Sequence, residues 1–321
     1  MNQFSFILAL SLLPLLSWAQ TVSLTWESAN NVTQNLWVKA GSKGPAVLRA
    51  LVLLDRARFS PGEIDGAYGS NVKKAIMGFQ ATNGLPVTGE VDAMTWTALN
   101  KDKEPVLSTY IITAKDVEGP FYEIPQDMMA KATLPELGFQ SPLEALGEKF
   151  HASPKLLQAL NKGKNLAKVG EEIWVPNVTS QPIGKAAQVI VDKSDLTVTA
   201  LDANGKILAQ YPASTGSERD PLPLGTWKIK GVAKNPVFHY NPALFWDADP
   251  AHAKAKIPGG PNNPVGVVWI DLSKEHYGIH GTPEPAKIGK TQSHGCIRLT
   301  NWDAAALAQM VAPGTPAILQ D

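Results

Sequence analysis

Ser293-His294-Gly295-Cys296-Ile297-Arg298-Leu299-Thr300 is the stretch on which the reading of this chain turns, and it holds the single cysteine of 321 residues. One cysteine excludes an intramolecular disulfide and any multi-cysteine zinc or iron–sulfur site. It leaves two readings, an inert buried thiol or a working one. If the chain is extended after the cysteine, Ile297 and Leu299 point to a core, while Cys296, Arg298 and Thr300 share the other face. The same alternation in Tyr277-Gly278-Ile279-His280 sets His280 opposite Ile279, and Gly281 allows a sharp exit. Two strand ends carrying imidazole and thiol can therefore meet although they are distant in sequence.

A free thiol titrates near ~8.5, so an imidazole that takes its proton has a clear chemical purpose. Gly295 is small enough for a substrate carbonyl to approach the backbone. Amides near Gly295 and Cys296 could then receive an oxyanion. Arg298 beside the thiol would favour the thiolate and could bind a carboxylate. The histidines gather in the same region: His239, His252, His276, His280 and His294 precede Cys296, and only His151 lies elsewhere. His276 and His280 have zinc-like spacing, but Glu275 precedes the pair and the local pattern is strand-like, so no metal site is read here.

Outward from this cluster, Val189, Val191, Leu196, Val198 and Ala200 alternate with polar residues, and Asn204-Gly205 marks a hairpin turn before Ile207-Leu208. Thr226–Gly231, Val265–Leu272 and Tyr277–His280 are further strand candidates. Thr300-Asn301-Trp302-Asp303 has capping-box spacing ahead of an Ala/Leu-rich run and predicts one late helix. The stretch from Phe238 to Pro264, with Phe245 and Trp246, forms either a lid or substrate wall, or an ordered surface insertion.

Further upstream, Val47, Leu48, Leu51 and Leu54 recur at helical spacing, as do Val72, Ala75, Ile76 and Phe79 in a helix from Asn71 to Asn83. A short helix from Asp92 to Leu99 follows. Residues 108–178 carry two short helical faces (Leu143, Leu146, Phe150; Leu156, Leu157, Leu160) and end in the strand-like Ile173-Trp174-Val175-Pro176. Residues 20–44 read as a linker, and Pro182-Ile183-Gly184 as a second one. The first nineteen residues hold an apolar run from Phe4 to Trp18, too short to span a bilayer, ending in the small-x-small Ser17-Trp18-Ala19. They read as a cleaved signal peptide, despite an n-region lacking Lys and Arg; the alternative is an N-terminal core helix. No later stretch is long and apolar enough for a membrane span. The charge balance, 29 basic against 29 acidic residues, removes the broad attraction expected of a nucleic-acid binder.

HYGIHGT and SHGCIRLTNWDA, preceded by IPGGPNNPVG and PLGTWKI, resemble the L,D-transpeptidase catalytic (YkuD-type) domain along residues 184–321. The string PGEIDGAYGSNVKKAIMGFQATNGLPVTGEVDAMTWTAL resembles the peptidoglycan-binding-like three-helix domain, placed at 45–100. SPLEALGEKFHASPKLLQALNKGKNLAKVGEEIWVPN resembles a LysM module, without its usual Gly-Asp opening and with Tyr110-Ile111-Ile112 unusually far upstream. These resemblances imply a multidomain α+β chain: a small helical unit, a LysM-like α/β module and a mostly β catalytic domain with one late helix. They further imply Cys296 as nucleophile and His280 as base, with the Gly281 carbonyl orienting the imidazole and His294, two residues from the thiol in a tight turn, as the alternative for the proton transfer. His294 and Gly295 would complete the site, and Arg298, Ser293, Tyr277 and Trp246 would meet substrate. The implied reaction attacks the L-diaminoacid–D-Ala bond of a peptidoglycan stem and passes the acyl group to an amine, with no metal or organic cofactor. The implied setting is the periplasm, with two wall-recognition modules holding the catalytic domain near its polymer.

Overall fold

Period-two alternation after residue 184 folds as a single large sheet. In the computed structural model, which describes residues 24–33, 35–178 and 184–321, nine helices and twelve strands are present among those residues. The sheet takes β3 (Gln188–Asp192), β4 (Thr197–Leu201), β5 (Ile207–Pro212), β6 (Gly225–Lys234), β9 (Val268–Leu272), β10 (Gly278–His280), β11 (Ile297–Arg298) and β12 (Pro316–Gln320). Their order across it is β11-β10-β9-β6-β12-β3-β4-β5. Most neighbours are antiparallel, but β10 with β11 and β12 with β3 run parallel. Inward residues such as Val189, Val191, Val198, Ile270, Ile279, Ile297 and Leu299 are buried together with Ala304 and Leu307 of α9 (Asn301–Met310). Each fully buried aliphatic side chain contributes about 1.5–3 kcal/mol. The Thr300 hydroxyl caps α9 by accepting the Asp303 amide at 3.2 Å.

Two strand ends differ from the sequence expectation by three residues each. β6 runs on to Lys234, and β9 starts only at Val268, because Gly266 turns at φ +63° before it. A separate hairpin, β7 (Phe238–Tyr240) with β8 (Ala255–Ile257), is built from the Phe238–Pro264 stretch.

The N-terminal half comprises α1 (Trp26–Asn30), α2 (Pro45–Arg56), α3 (Ser70–Thr82) and α4 (Ala93–Leu99), then β1 (Leu107–Ile111), α5 (Ala114–Val117), α6 (Met128–Lys131), α7 (Pro142–Lys149), α8 (Pro154–Leu160) and β2 (Glu172–Pro176). β1 and β2 pair antiparallel around the intervening helices. The helical unit and the middle unit are not separate beads, because one continuous core runs from Ala29 through Leu51, Ile76 and Trp96 to Leu157 and Val175. The expected linker at 20–44 is therefore corrected over its described part. Ala29 is fully buried, Asn30 accepts the Val106 amide, Trp26 lies against Trp174, and Val38 bridges Val91. Burial of Ala29 and Val38 and the Trp26 contact draw the strap in, and the Asn30 hydrogen bonds fix it in place. The signal-peptide reading of residues 1–19 and positions 182–183 of the second linker lie outside the described residues.

This N-terminal body also covers the edge of the large sheet. Ser60 donates its amide to the Gln210 carbonyl and Gln210 donates to Arg58, both at 2.9 Å, so the chain around Phe59 extends β5 in parallel. An uncovered edge strand would offer unpaired amides to other chains. Gly78 in α3 makes the approach possible, since a Cβ there would lie 2.3 Å from the Gln210 side chain.

Candidate active site

Strand register builds the site. β10 and β11 pair in parallel with Ile279 opposite Ile297 and His280 opposite Arg298. Ile279 and Ile297 are wholly buried on the core face, so Gly278, His280, Cys296 and Arg298 share the other face. Cys296 falls level with Gly278, whose backbone amide bonds to the thiol. His280 stands two residues along the same face, and its carbonyl accepts the Leu299 amide at 2.8 Å.

His280 is buried and stacked on Trp269, with ring centroids 5.4 Å apart and 18° between planes. Its Nδ1 lies 2.7 Å from the Gly281 carbonyl oxygen. A carbonyl only accepts, so Nδ1 carries the proton and Nε2 keeps the lone pair. Burial and then the Arg298 charge push the imidazole down to about 3, so it is neutral at physiological pH.

Cys296 is half-buried, with Sγ 3.6 Å from the His276 carbonyl. Its thiol lies above its ordinary value: burial raises it, outweighing the Gly278 amide and the Arg298 guanidinium. Arg298 does act toward the thiolate, as its place beside Cys296 led one to expect, but burial outweighs it. A thiol held above its ordinary value and an imidazole held at about 3 are both neutral at physiological pH.

The Ser293–Cys296 turn is held from several sides. Ser293 donates its hydroxyl to the Cys296 carbonyl and its amide to Thr215, and Arg298 exchanges both backbone bonds with Ser214. Gly295 has φ +96°, and a Cβ there would lie 2.7 Å from the Tyr277 ring. Tyr277 thus packs on the turn, beside the thiol.

His294 does not join His280. Its Nε2 is 2.9 Å from Asp247, with Phe245 edge-on at 5.3 Å and Trp246 tilted at 5.8 Å. Trp246 is 52% exposed under the Arg219 guanidinium at 4.3 Å, so the Phe238–Pro264 stretch walls the site through these residues. Of the other histidines, His276 offers its carbonyl to the thiol while its ring is exposed beside Glu275, and His252 bridges Tyr240 and Asp127. Sequence reasoning missed Trp269, Asp247, Ser214 and Thr215. The alternation of β9 could have placed Trp269 on the site face; the others are contacts over long sequence distances without a local signal.

Residues 186–319 match the family model of the L,D-transpeptidase catalytic domain (YkuD), and residues 43–99 match that of a peptidoglycan binding domain. A Bacillus subtilis protein named as L,D-transpeptidase YkuD is 32% identical over 166 residues, which cover 52% of this chain and 80% of that protein. Its Bacillus licheniformis namesake is 30% identical over 175 residues, 54% and 90% of the two chains. Among solved structures, L,D-transpeptidase 3 from Mycobacterium tuberculosis with a faropenem-derived adduct aligns at 18% identity and TM-score 0.35, covering 49% of this chain and 77% of that one. The chain belongs to the YkuD-type L,D-transpeptidase family and is a cell-wall enzyme of that class.

Proposed function

We propose that Cys296 is the nucleophile and His280 its general base in cleavage of the L-diaminoacid–D-Ala bond of a peptidoglycan tetrapeptide stem. The observation that carries this is the 2.7 Å bond from His280 Nδ1 to the Gly281 carbonyl, which leaves Nε2 as acceptor on the face shared with Cys296. The thiol proton passes to Nε2 as sulfur attacks the carbonyl, and amides of Gly295 and Cys296 receive the oxyanion. The C–N bond then breaks, D-Ala leaves with the proton from the imidazolium, and a thioester remains. The amine of a second stem attacks it and regenerates the thiol, giving a 3→3 cross-link. Arg298 and Ser293 support the site, while Tyr277, His294 and Trp246 border the substrate. No metal or organic cofactor takes part in these steps, and carbapenem-type β-lactams acylate the same thiol.

The polymer partner is peptidoglycan. We assign residues 1–19 to a signal peptide and the mature chain to the periplasm, with 45–100 and the β1–helices–β2 unit at 108–178 as wall-recognition modules, the latter LysM-like. Mass spectrometry of purified protein with tetrapeptide muropeptides tests the reading. D-Ala release, an acyl adduct lost in Cys296→Ala and a cross-linked dimer are expected. No release and no adduct would leave only a wall-binding protein. Hydrolysis or exchange products in place of the dimer would reassign the acceptor to water, a free D-amino acid or a lipoprotein amine.

A further inference from the structure

The wall formed by Phe245, Trp246 and Asp247 reaches the site from the β7–β8 hairpin, and what fastens that hairpin is a segment of the middle unit. Leu137 is fully buried with Tyr240 and Ile257 in a small core of their own, around which Ile124, Met128, Leu134, Phe238 and Phe245 pack. The Leu137 amide donates to Gly259 and its carbonyl accepts from Asn262, both at 2.9 Å, a strand-like clasp between the two segments. Gly260 has φ +141°, and a Cβ there would lie 2.1 Å from the Leu137 carbonyl oxygen, so the clasp closes only on glycine. Asn262 also donates its side-chain amide to Gly138 and Glu144, each at 2.9 Å.

A second fastening lies nearby. Asp127 sits 2.7 Å from His252 Nε2, and Tyr240 Oη sits 2.9 Å from His252 Nδ1. An ionised carboxylate only accepts, so Nε2 carries a proton, and Nδ1 meets the tyrosine hydroxyl. Phe245 belongs both to the Leu137 core and to the face of His294. The anchor and the site are therefore joined through one side chain.

We propose that the 120–140 segment of the middle unit is the anchor of the β7–β8 lid, and that through Leu137 and Asp127 it sets the substrate wall against which His294 is held. The middle unit then shapes the cleft in addition to any wall binding. Leu137 and Asp127 are positioning residues, since they touch the lid and not the reacting atoms. The word substrate here rests on the function proposed above; the anchoring does not.

The test uses the full chain carrying Leu137→Ala, with Asp127→Asn as a milder surface variant should the first fail to fold. Hydrogen exchange across 238–257, alkylation of Cys296 by a bulky maleimide, and kcat and KM for a stem tetrapeptide are measured together. Lid amides are expected to exchange at least about tenfold faster in Leu137→Ala while β3 and β4 stay protected. Maleimide modification should quicken in step, and KM should rise about tenfold with kcat nearly kept, as for lost uniform binding. Leu137→Met should restore all three. Unchanged lid exchange in the folded variants would overturn the anchor, and faster exchange with unchanged maleimide access would overturn its bearing on the cleft. If the wild-type chain turned over no peptide, exchange and alkylation would still decide the anchor, and the failure would fall on the proposed reaction.

Discussion

Gly281 accepts the Nδ1 proton of His280 at 2.7 Å, and the same glycine lies against Asn301, whose Oδ1 would be 2.1 Å from any Cβ placed on it. The imidazole is therefore oriented by a backbone carbonyl that is braced from behind by the first residue of α9. Asn301 is held in turn, accepting the Val267 amide and donating to the Pro261 carbonyl, both at 3.1 Å. A carbonyl in this role cannot take up a proton, so it fixes the tautomer without competing for charge.

Gly281→Ala should retain the fold and lose turnover. The added methyl must displace Asn301, and the peptide that orients His280 moves with it. A misplacement near one ångström costs about a hundredfold in rate. Single-turnover acylation with a stem tetrapeptide reads this loss, and near-wild-type acylation would mean the Asn301 brace yields freely.

Reactivity of Cys296 toward iodoacetamide should climb with pH and show its midpoint above that of a free thiol, because burial outweighs both Gly278 and Arg298. Removing the guanidinium in Arg298→Gln should push the midpoint higher still. His280→Gln should leave this profile nearly in place, since the imidazole is neutral at rest, yet reduce peptide turnover by about 10²–10⁴-fold. A reactive plateau reaching down to mildly acidic pH would instead show a resting thiolate–imidazolium pair.

How much of this could be read from the residues follows from range of interaction. Ile279, Ile297 and Leu299 alternate with His280, Cys296 and Arg298, so the two faces of the site strands were legible from period two alone. The capped helix at Thr300 was equally local. Asp247 was not, because nothing near it marks an aspartate that will pair with His294 across 47 residues. The strap at 24–44 misled for another reason. Its polar residues include Asn30, whose amide side chain is spent on the backbone of Val106 and Leu107, a use that composition cannot reveal.

A chain cut to residues 184–321 should be less stable and self-associating. Cutting removes the Arg58–Ser60 backbone that pairs with Gln210 and leaves β5 as a bare edge. Light scattering should report oligomers for the fragment against a monodisperse full chain, and its melting temperature should fall. A monomeric fragment of unchanged stability would make the docking of the N-terminal body incidental.

Stability should fall as pH rises from about 4 to above 7, through the polar seam where the three segments meet. Asp303 at the start of α9 accepts the Ser60 hydroxyl at 3.0 Å and faces Asp55 and His151; burial raises its carboxyl from 3.8 to about 7, against the Thr300 hydrogen bond. Glu148 is likewise lifted to about 7, chiefly by burial, near Asn301, His151, Glu144 and Glu63. His151 stacks on Trp302 and sits 3.0 Å from Asp55. Burial lowers its pKa, but Asp55, Asp303 and Glu148 together raise it above 6.5. From about pH 4 the folded chain keeps the Asp303 and Glu148 protons that the unfolded chain releases, and above about 6.5 it also keeps that of His151, so the folded state binds more protons across this window. The slope of stability with pH is then negative, and it ends once pH passes the folded values. Carboxylates held low, such as Asp116 and Asp192, act with the opposite sign but only below their ordinary value of 3.8. Urea midpoints at about pH 5 and about pH 8 should therefore differ in favour of the lower pH. Asp303→Asn should shrink that difference, since an amide needs no proton to stay neutral. An equal slope in wild type and Asp303→Asn would mean that this carboxylate is ionised in the folded protein and that the seam is held by a charged network.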